Sequence, residues 1–207
     1  MDKTSKLFDV WANTGRSEEM EKGHGTTVNQ FLDKLSLKEN FRFLDIGCGN
    51  GWVIRKMSQN PFCAKAIGID KSKMMIKNAK SKISSEKEIY FSTELETWNT
   101  KEKFDVIFSM ESLYYSVPME PALEKVFKLL KKNGIFYCGT DFYSDNTLTT
   151  RWVKDMNIPM DLRSEKEWKQ MFREVGFITR SKHVTDSKNK SKWKRQFGTL
   201  FVIGRKP

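Results

Sequence analysis

Val28, Phe31, Leu32 and Leu35 recur at i, i+3, i+4 and i+7, one face of an α-helix, so a helix is predicted over 26–37, with threonines at its start. The period then changes. Residues 41–46 form a short apolar run suited to a buried strand, and Val53, Ile54 and Met57 return to helical spacing over 51–57. Further strands are predicted at 64–69, 88–91, 104–108 and 135–139. Helices are predicted at 73–82 and at 122–132, the latter through Leu123, Val126, Phe127 and Leu130, with Gly134 placed to end it. Strands and helices taking turns imply parallel βαβ units with right-handed crossovers, hence an α/β fold with a doubly wound, mostly parallel sheet.

The tail breaks this alternation. Ser164 and Glu167 have capping-box spacing ahead of Trp168, Met171 and Phe172, and Gly176 closes that helix. Two strands, 177–184 and 197–203, then follow one another, which predicts an antiparallel hairpin at one sheet edge, joined through the basic segment 187–195. The chain is read as one domain over 1–207, with a helical N-terminal lid over 1–40 and the α/β core over 41–207.

Composition narrows the class. A hydrophobic content of 38% and an aromatic content of 13% suit a globular domain. There is no basic-then-apolar leader and no run approaching the ~20 apolar residues of a membrane span. Cys48, Cys63 and Cys138 form no CxxC pair, and His24 and His183 are the only histidines, so no metal site is expected and a reduced, cytoplasmic setting is. The net charge of +11 suits either an anionic partner such as nucleic acid or simple solubility.

The stretch FLDIGCGNGW (43–52) carries the chemistry. Glycines behind a buried strand let backbone approach a ligand near a helix N-terminus. A dinucleotide-binding GxGxxG would need glycine at 52, where Trp52 stands, and no GKS or GKT of a P-loop follows. Asp45, two residues ahead of Gly47, either fixes the loop through hydrogen bonds or receives a cation such as an ammonium. Asp70, at the end of IGID and 19 residues after Gly51, is placed to bind the paired hydroxyls of a ribose. Ammonium, ribose and close backbone together describe S-adenosylmethionine.

LDIGCGNG with its downstream GID resembles the class I S-adenosylmethionine-dependent methyltransferases, over roughly 41–139. The resemblance implies a Rossmann-like seven-stranded sheet. It implies that Gly47, Cys48, Gly49 and Gly51 line the methionine part of the cofactor, that Asp70 binds ribose, and that Lys71 and Met75 of DKSKMM flank adenine. Thr93 or Glu94 in FSTELETW would meet the adenine amino group, and Ser109 and Met110 would join the cofactor set. FDVIFSMESLYYS resembles the branch containing quinone-biosynthesis and other small-molecule enzymes, and FDVWANTGRSEEMEKGHG resembles an N-terminal lid of one uncharacterised group.

Methyl transfer needs a base only where the acceptor must lose a proton. His24, between Gly23 and Gly25, is the general-base candidate, with a structural histidine as the plainer reading. Tyr114 and Tyr115 are candidates to orient the acceptor or cover the sulfonium, core packing being the alternative. Glu111, Asp141 and Tyr143, just past predicted strand ends, are candidates for catalysis or acceptor binding. Trp11 and Arg16 of the lid are candidates to hold the cofactor, Arg16 through its carboxylate. SKNKSKWKRQ (187–196) is either a solvated loop or an RNA-contacting strip. A small-molecule methyltransferase is therefore expected, an RNA or protein methyltransferase and a non-catalytic cofactor-binding module being the alternatives.

Overall fold

Two helices, α1 (Lys3–Asn13) and α2 (Arg16–Leu32), precede the first strand in the computed structural model, which describes residues 3–207. Met1 and Asp2, which open the predicted lid, lie outside the described residues. The core then runs β1 (Phe41–Ile46), α3 (Trp52–Ser58), β2 (Cys63–Asp70), α4 (Lys73–Ser81), β3 (Glu88–Ser92), β4 (Phe104–Met110), α5 (Glu120–Leu129) and β5 (Leu130–Thr140), strand and helix alternating except between β3 and β4, which a loop joins. The tail carries α6 (Trp152–Met156), α7 (Glu165–Val175), β6 (Ile178–Val184), α8 (Lys192–Gln196) and β7 (Thr199–Arg205).

These seven strands make one sheet in the order β3-β2-β1-β4-β5-β7-β6. The first five are parallel, and β7 runs antiparallel to both β5 and β6. The predicted mostly parallel sheet with a C-terminal antiparallel pair is thus observed. Its strand order reverses between β1 and β4, so a crevice opens at their carboxyl ends.

Apolar side chains alternate to both faces. Leu44, Ile107, Phe136 and Val202 pack under α5 and α7, with Leu123, Val126, Trp168 and Phe172. Phe43, Phe108, Phe201 and Ile203 fill the other face against Val28 and Phe31 of α2 and Ile54 of α3. Each such buried side chain contributes roughly 1.5–3 kcal/mol. Phe31 stacks on Phe201 with ring centroids 4.0 Å apart, so the second half of α2 belongs to the core.

Three element boundaries depart from the sequence reading. The helix predicted over 26–37 runs from Arg16 to Leu32, straight through Gly23 and Gly25. Each glycine costs about 1 kcal/mol relative to alanine, which the burial of Val28, Phe31 and Leu32 outweighs. Gly134 lies inside β5 and caps nothing: a Cβ there would come within 2.9 Å of the Lys131 carbonyl oxygen, while Asn133 takes the turn at φ 62°. The basic segment also contains α8, and Lys194 within it is 2% exposed. The capping box is present as predicted, Ser164 and Glu167 exchanging hydrogen bonds at the start of α7.

Candidate active site

β1 delivers the chain into the crevice, and Gly47, Gly49 and Gly51 all take left-handed φ values of 53–79°. The N–H groups of Gly47 and Cys48 donate to the Ile69 carbonyl at 2.8 and 3.0 Å, pinning the loop to β2. At Gly49 an added Cβ would meet nothing within 4 Å; bare backbone faces open space there. At Gly51 it would strike the Tyr90 ring and hydroxyl, 2.7 Å away at nearest, so that glycine answers to the strand beneath it.

Two acids stand beside this loop. Asp70 accepts the Gly49 N–H on Oδ2 at 2.9 Å and the Ser72 N–H on Oδ1 at 2.8 Å. Burial pushes its carboxyl up, and those two hydrogen bonds pull against the rise. Asp45 is 3% exposed and lines the cleft, and its carboxyl has no hydrogen-bond partner among the described residues. Burial, then the charge of Asp70, push it well above the usual carboxylate range. A buried carboxylate without a donor costs several kcal/mol unless something in the cleft supplies one. An ammonium supplies one, so the residues present fit the amino-acid end of S-adenosylmethionine.

α1 and α2 roof the cleft. The Ser72 hydroxyl and the Met74 N–H donate to Asp9 Oδ1 at 2.6 and 3.2 Å, tying α1 to the start of α4. The Asn50 amide donates to Glu21 at 2.9 Å, tying α2 to the glycine loop. Phe8, Ser17, Met20, Glu21 and His24 line the cleft from the roof, and the cleft, partly open to solvent, has a volume of about 460 Å³, within the ~300–1,000 Å³ of small-ligand sites.

A polar cluster closes the far end. Glu111, at φ 54°, accepts the Tyr114 hydroxyl at 2.9 Å on one oxygen and the Asp141 N–H on the other. Burial, then the neighbouring Asp141 charge, push Glu111 up to about 8. Asp141 is fully buried and accepts from Lys194 Nζ at 2.6 Å, the Thr199 hydroxyl at 2.6 Å and the Trp193 indole at 3.3 Å. Burial raises its carboxyl, but Lys194, His24 and these hydrogen bonds together hold it below the usual range. Burial, then the Lys194 charge, lower His24 to about 4, so its ring is neutral at pH 7.

The family model of a methyltransferase domain matches residues 17–182 of the chain. The chain belongs to that family. It is a class I S-adenosylmethionine-dependent methyltransferase, similar to a ubiquinone biosynthesis O-methyltransferase of Pelagibacter ubique (37% identity over 107 residues, 49% of this chain and 42% of the relative). It is also similar to a sterol 24-C-methyltransferase of Clavispora lusitaniae (25% identity, 77% of this chain and 46% of the relative). The chain thus spans about half the length of the curated relatives it matches. Among solved structures it resembles a chain from the complex of the Haloferax volcanii Trm112 methyltransferase activator with a methyltransferase partner. That chain aligns at TM-score 0.90 and 25% identity, over 97% of each chain. The N-methyltransferase NodS of Bradyrhizobium japonicum WM9, solved with S-adenosylhomocysteine, shares the fold at TM-score 0.66 and 19% identity, over 90% of this chain and 87% of that one.

In this methyltransferase the cleft brings together His24, Asp45, Gly47, Cys48, Gly49, Asp70, Lys71, Met75, Thr93, Glu94, Met110, Glu111 and Tyr115 from the sequence-derived set. Seven others stand outside its lining. Gly51 faces Tyr90, and Ser109 is fully buried within β4. Tyr114 is buried behind Glu111, to which it donates. Asp141 turns to the hairpin, where Lys194 and Thr199 take its carboxylate. Tyr143 donates to the Phe197 and Gly198 carbonyls on that same side. Arg16 lies 4.1 Å over the Trp11 ring, so both are committed to each other in a cation–π pair. Sequence reasoning missed Asn50 and Trp52, although both stand in the quoted glycine stretch, and Met20 and Glu21 in the lid segment. It also missed Lys194, for which a charge-rich run gives no local signal.

Proposed function

We propose that this methyltransferase transfers the methyl group of S-adenosylmethionine to a small-molecule acceptor enclosed beneath the N-terminal helices. The supporting observation is the roof itself: side chains of α1 and α2 line the same cleft whose floor is the glycine loop. When bound, S-adenosylmethionine supplies a methyl group on a sulfonium that leaves as a neutral thioether, so much of the catalysis is positioning. In this reading Asp45 and the Gly47–Cys48–Gly49 backbone hold the amino-acid end, Asp70 holds the ribose, and Lys71, Met75, Thr93 and Glu94 flank the adenine. Glu111, His24 and Tyr115 face the acceptor, and a proton lost by the acceptor passes to Glu111 or His24, both of which line the cleft.

The test has two arms. Calorimetry is expected to show S-adenosylhomocysteine binding, and silence at millimolar ligand rejects the cofactor assignment. A metabolite panel with isotopically labelled methyl donor then seeks the acceptor; binding without transfer to any member would favour a non-catalytic module. A protein partner is a further part of the reading. The similarity to the Trm112-bound chain supports a small activator subunit, and co-expression with such an activator is expected to raise soluble yield or turnover. An RNA acceptor is disfavoured because Lys194, part of the basic run, is buried.

A further inference from the structure

The side of His24 away from the cleft is committed. Lys194 Nζ lies 3.0 Å from His24 Nδ1, 2.6 Å from Asp141 Oδ2 and 3.5 Å from the Thr199 hydroxyl. An ammonium has three protons and no lone pair, so those three neighbours are its three acceptors. Asp141, buried and at 2.6 Å, keeps the charge on the lysine; the imidazole, 3.9 Å from the same oxygen, is the poorer cation site. Nδ1 must then present its lone pair to Lys194, and the one proton of a neutral ring sits on Nε2. Lys194 and Asp141 stand outside the cleft lining whereas His24 is part of it, so the Nε2 edge is the one that meets the cleft. Nε2 has no hydrogen-bond partner among the described residues.

We propose that Lys194 is a positioning residue that fixes His24 as the Nε2–H tautomer, making His24 a hydrogen-bond donor to an oxygen of the acceptor and leaving Glu111 as the group that accepts its proton. The inference rests on the acceptor lying in the roofed cleft and reverses the role that isolation between two glycines suggests for this histidine. A ring whose only lone pair is already taken by an ammonium has none to offer a substrate. In its ionised form, reached as pH rises toward about 8, Glu111 has lone pairs left after its bonds to Tyr114 and Asp141, and it shares the cleft with His24.

The experiment is imidazole nitrogen NMR on the full chain labelled at its two histidines, with a His183→Gln variant for assignment, recorded with and without saturating S-adenosylhomocysteine. The expected spectrum at pH 7 has His24 Nδ1 in the unprotonated range and Nε2 in the protonated range. Lys194→Met is expected to give a mixture of tautomers and to move the ring titration upward. A wild-type Nδ1–H tautomer, or a ring protonated at pH 7, overturns the proposal. So does a folded Lys194→Met protein with an unchanged tautomer. Should that variant fail to fold because it strands the Asp141 carboxylate, the wild-type spectrum still decides. The heat of S-adenosylhomocysteine binding, measured on the same samples, reports on the cofactor assignment separately, because His24 is not assigned to the cofactor.

Discussion

Asp70 shows how one side chain fixes a loop and keeps capacity for a ligand. Each of its oxygens accepts one backbone N–H, and each has a lone pair left for a hydroxyl. Asp70→Ala is expected to weaken S-adenosylhomocysteine at least about tenfold, equivalent to ~1.4 kcal/mol, by calorimetry. Glu111 makes a pH prediction. Its folded pKa of about 8 lies above the 4.5 of a free glutamate, so the folded state binds the extra proton and this group's contribution to stability is lost as pH rises from 4.5 to 8. His24, lowered to about 4, acts in the opposite sense, adding stability between pH 4 and 6.5. Above pH 6.5 the Glu111 effect is no longer offset by His24. Glu111→Gln, which cannot titrate, is expected to gain on wild type by up to about 1 kcal/mol per pH unit between 6.5 and 8, in urea melts at fixed pH. Asp45, Asp70 and Glu111 were all legible in the sequence because each stands at or just past the end of a strand that announces itself by an apolar run. Asp141 was legible for the same reason, but its direction was not. Which way a strand-end side chain turns depends on partners such as Lys194 and Thr199, which lie 53 and 58 residues away along the chain.

At the level of elements, hydrophobic period located the strands because buried parallel strands leave little freedom in composition. It failed where a helix lacks a continuous apolar face. The first turns of α2 are SEEMEK and its middle is GHG, so nothing local marks a helix that is held by what it covers. The roof is therefore the element most open to perturbation. Asp9→Ala removes the acceptor of two hydrogen bonds from α4. Limited proteolysis is expected to cut within α1 faster in that variant, and bound S-adenosylhomocysteine is expected to slow the cut; equal rates in variant and wild type would count against a docked roof. α7 provides a contrast. Ser164→Ala breaks the capping box and is expected to cost about 1 kcal/mol of stability, with S-adenosylhomocysteine affinity unchanged, since the box stands outside the cleft lining.

Across the whole molecule, the +11 charge read from the sequence left nucleic acid open, and the fold redistributes that charge. Lys194 is neutralised by Asp141 inside the protein, while Lys82, Lys131 and Lys169 pair with Glu18, Asp105 and Glu165 at 2.7, 2.7 and 3.1 Å. Exposed pairs of this kind contribute little stability and leave the +11 excess unchanged, so the nucleic-acid reading rests on the basic run, which loses Lys194 to the interior. Binding to transfer RNA is accordingly expected to be weak and insensitive to Lys190→Glu and Lys192→Glu together; a steep fall with salt that these changes abolish would restore the nucleic-acid reading.

The roof is also clasped from the far end of the polypeptide. The Asn189 amide donates to the Gly23 carbonyl at 3.1 Å, and Lys194 reaches His24 on the same helix. During synthesis β1 to β5 can emerge and pair while that clasp still waits inside the ribosome. A chain released short of residue 189 would keep the glycine loop, Asp70 and the Asn50–Glu21 tie, but would lack the second clasp on Gly23 and His24. The last part of the chain to be made thus completes the hold on the roof helix at Gly23 and His24.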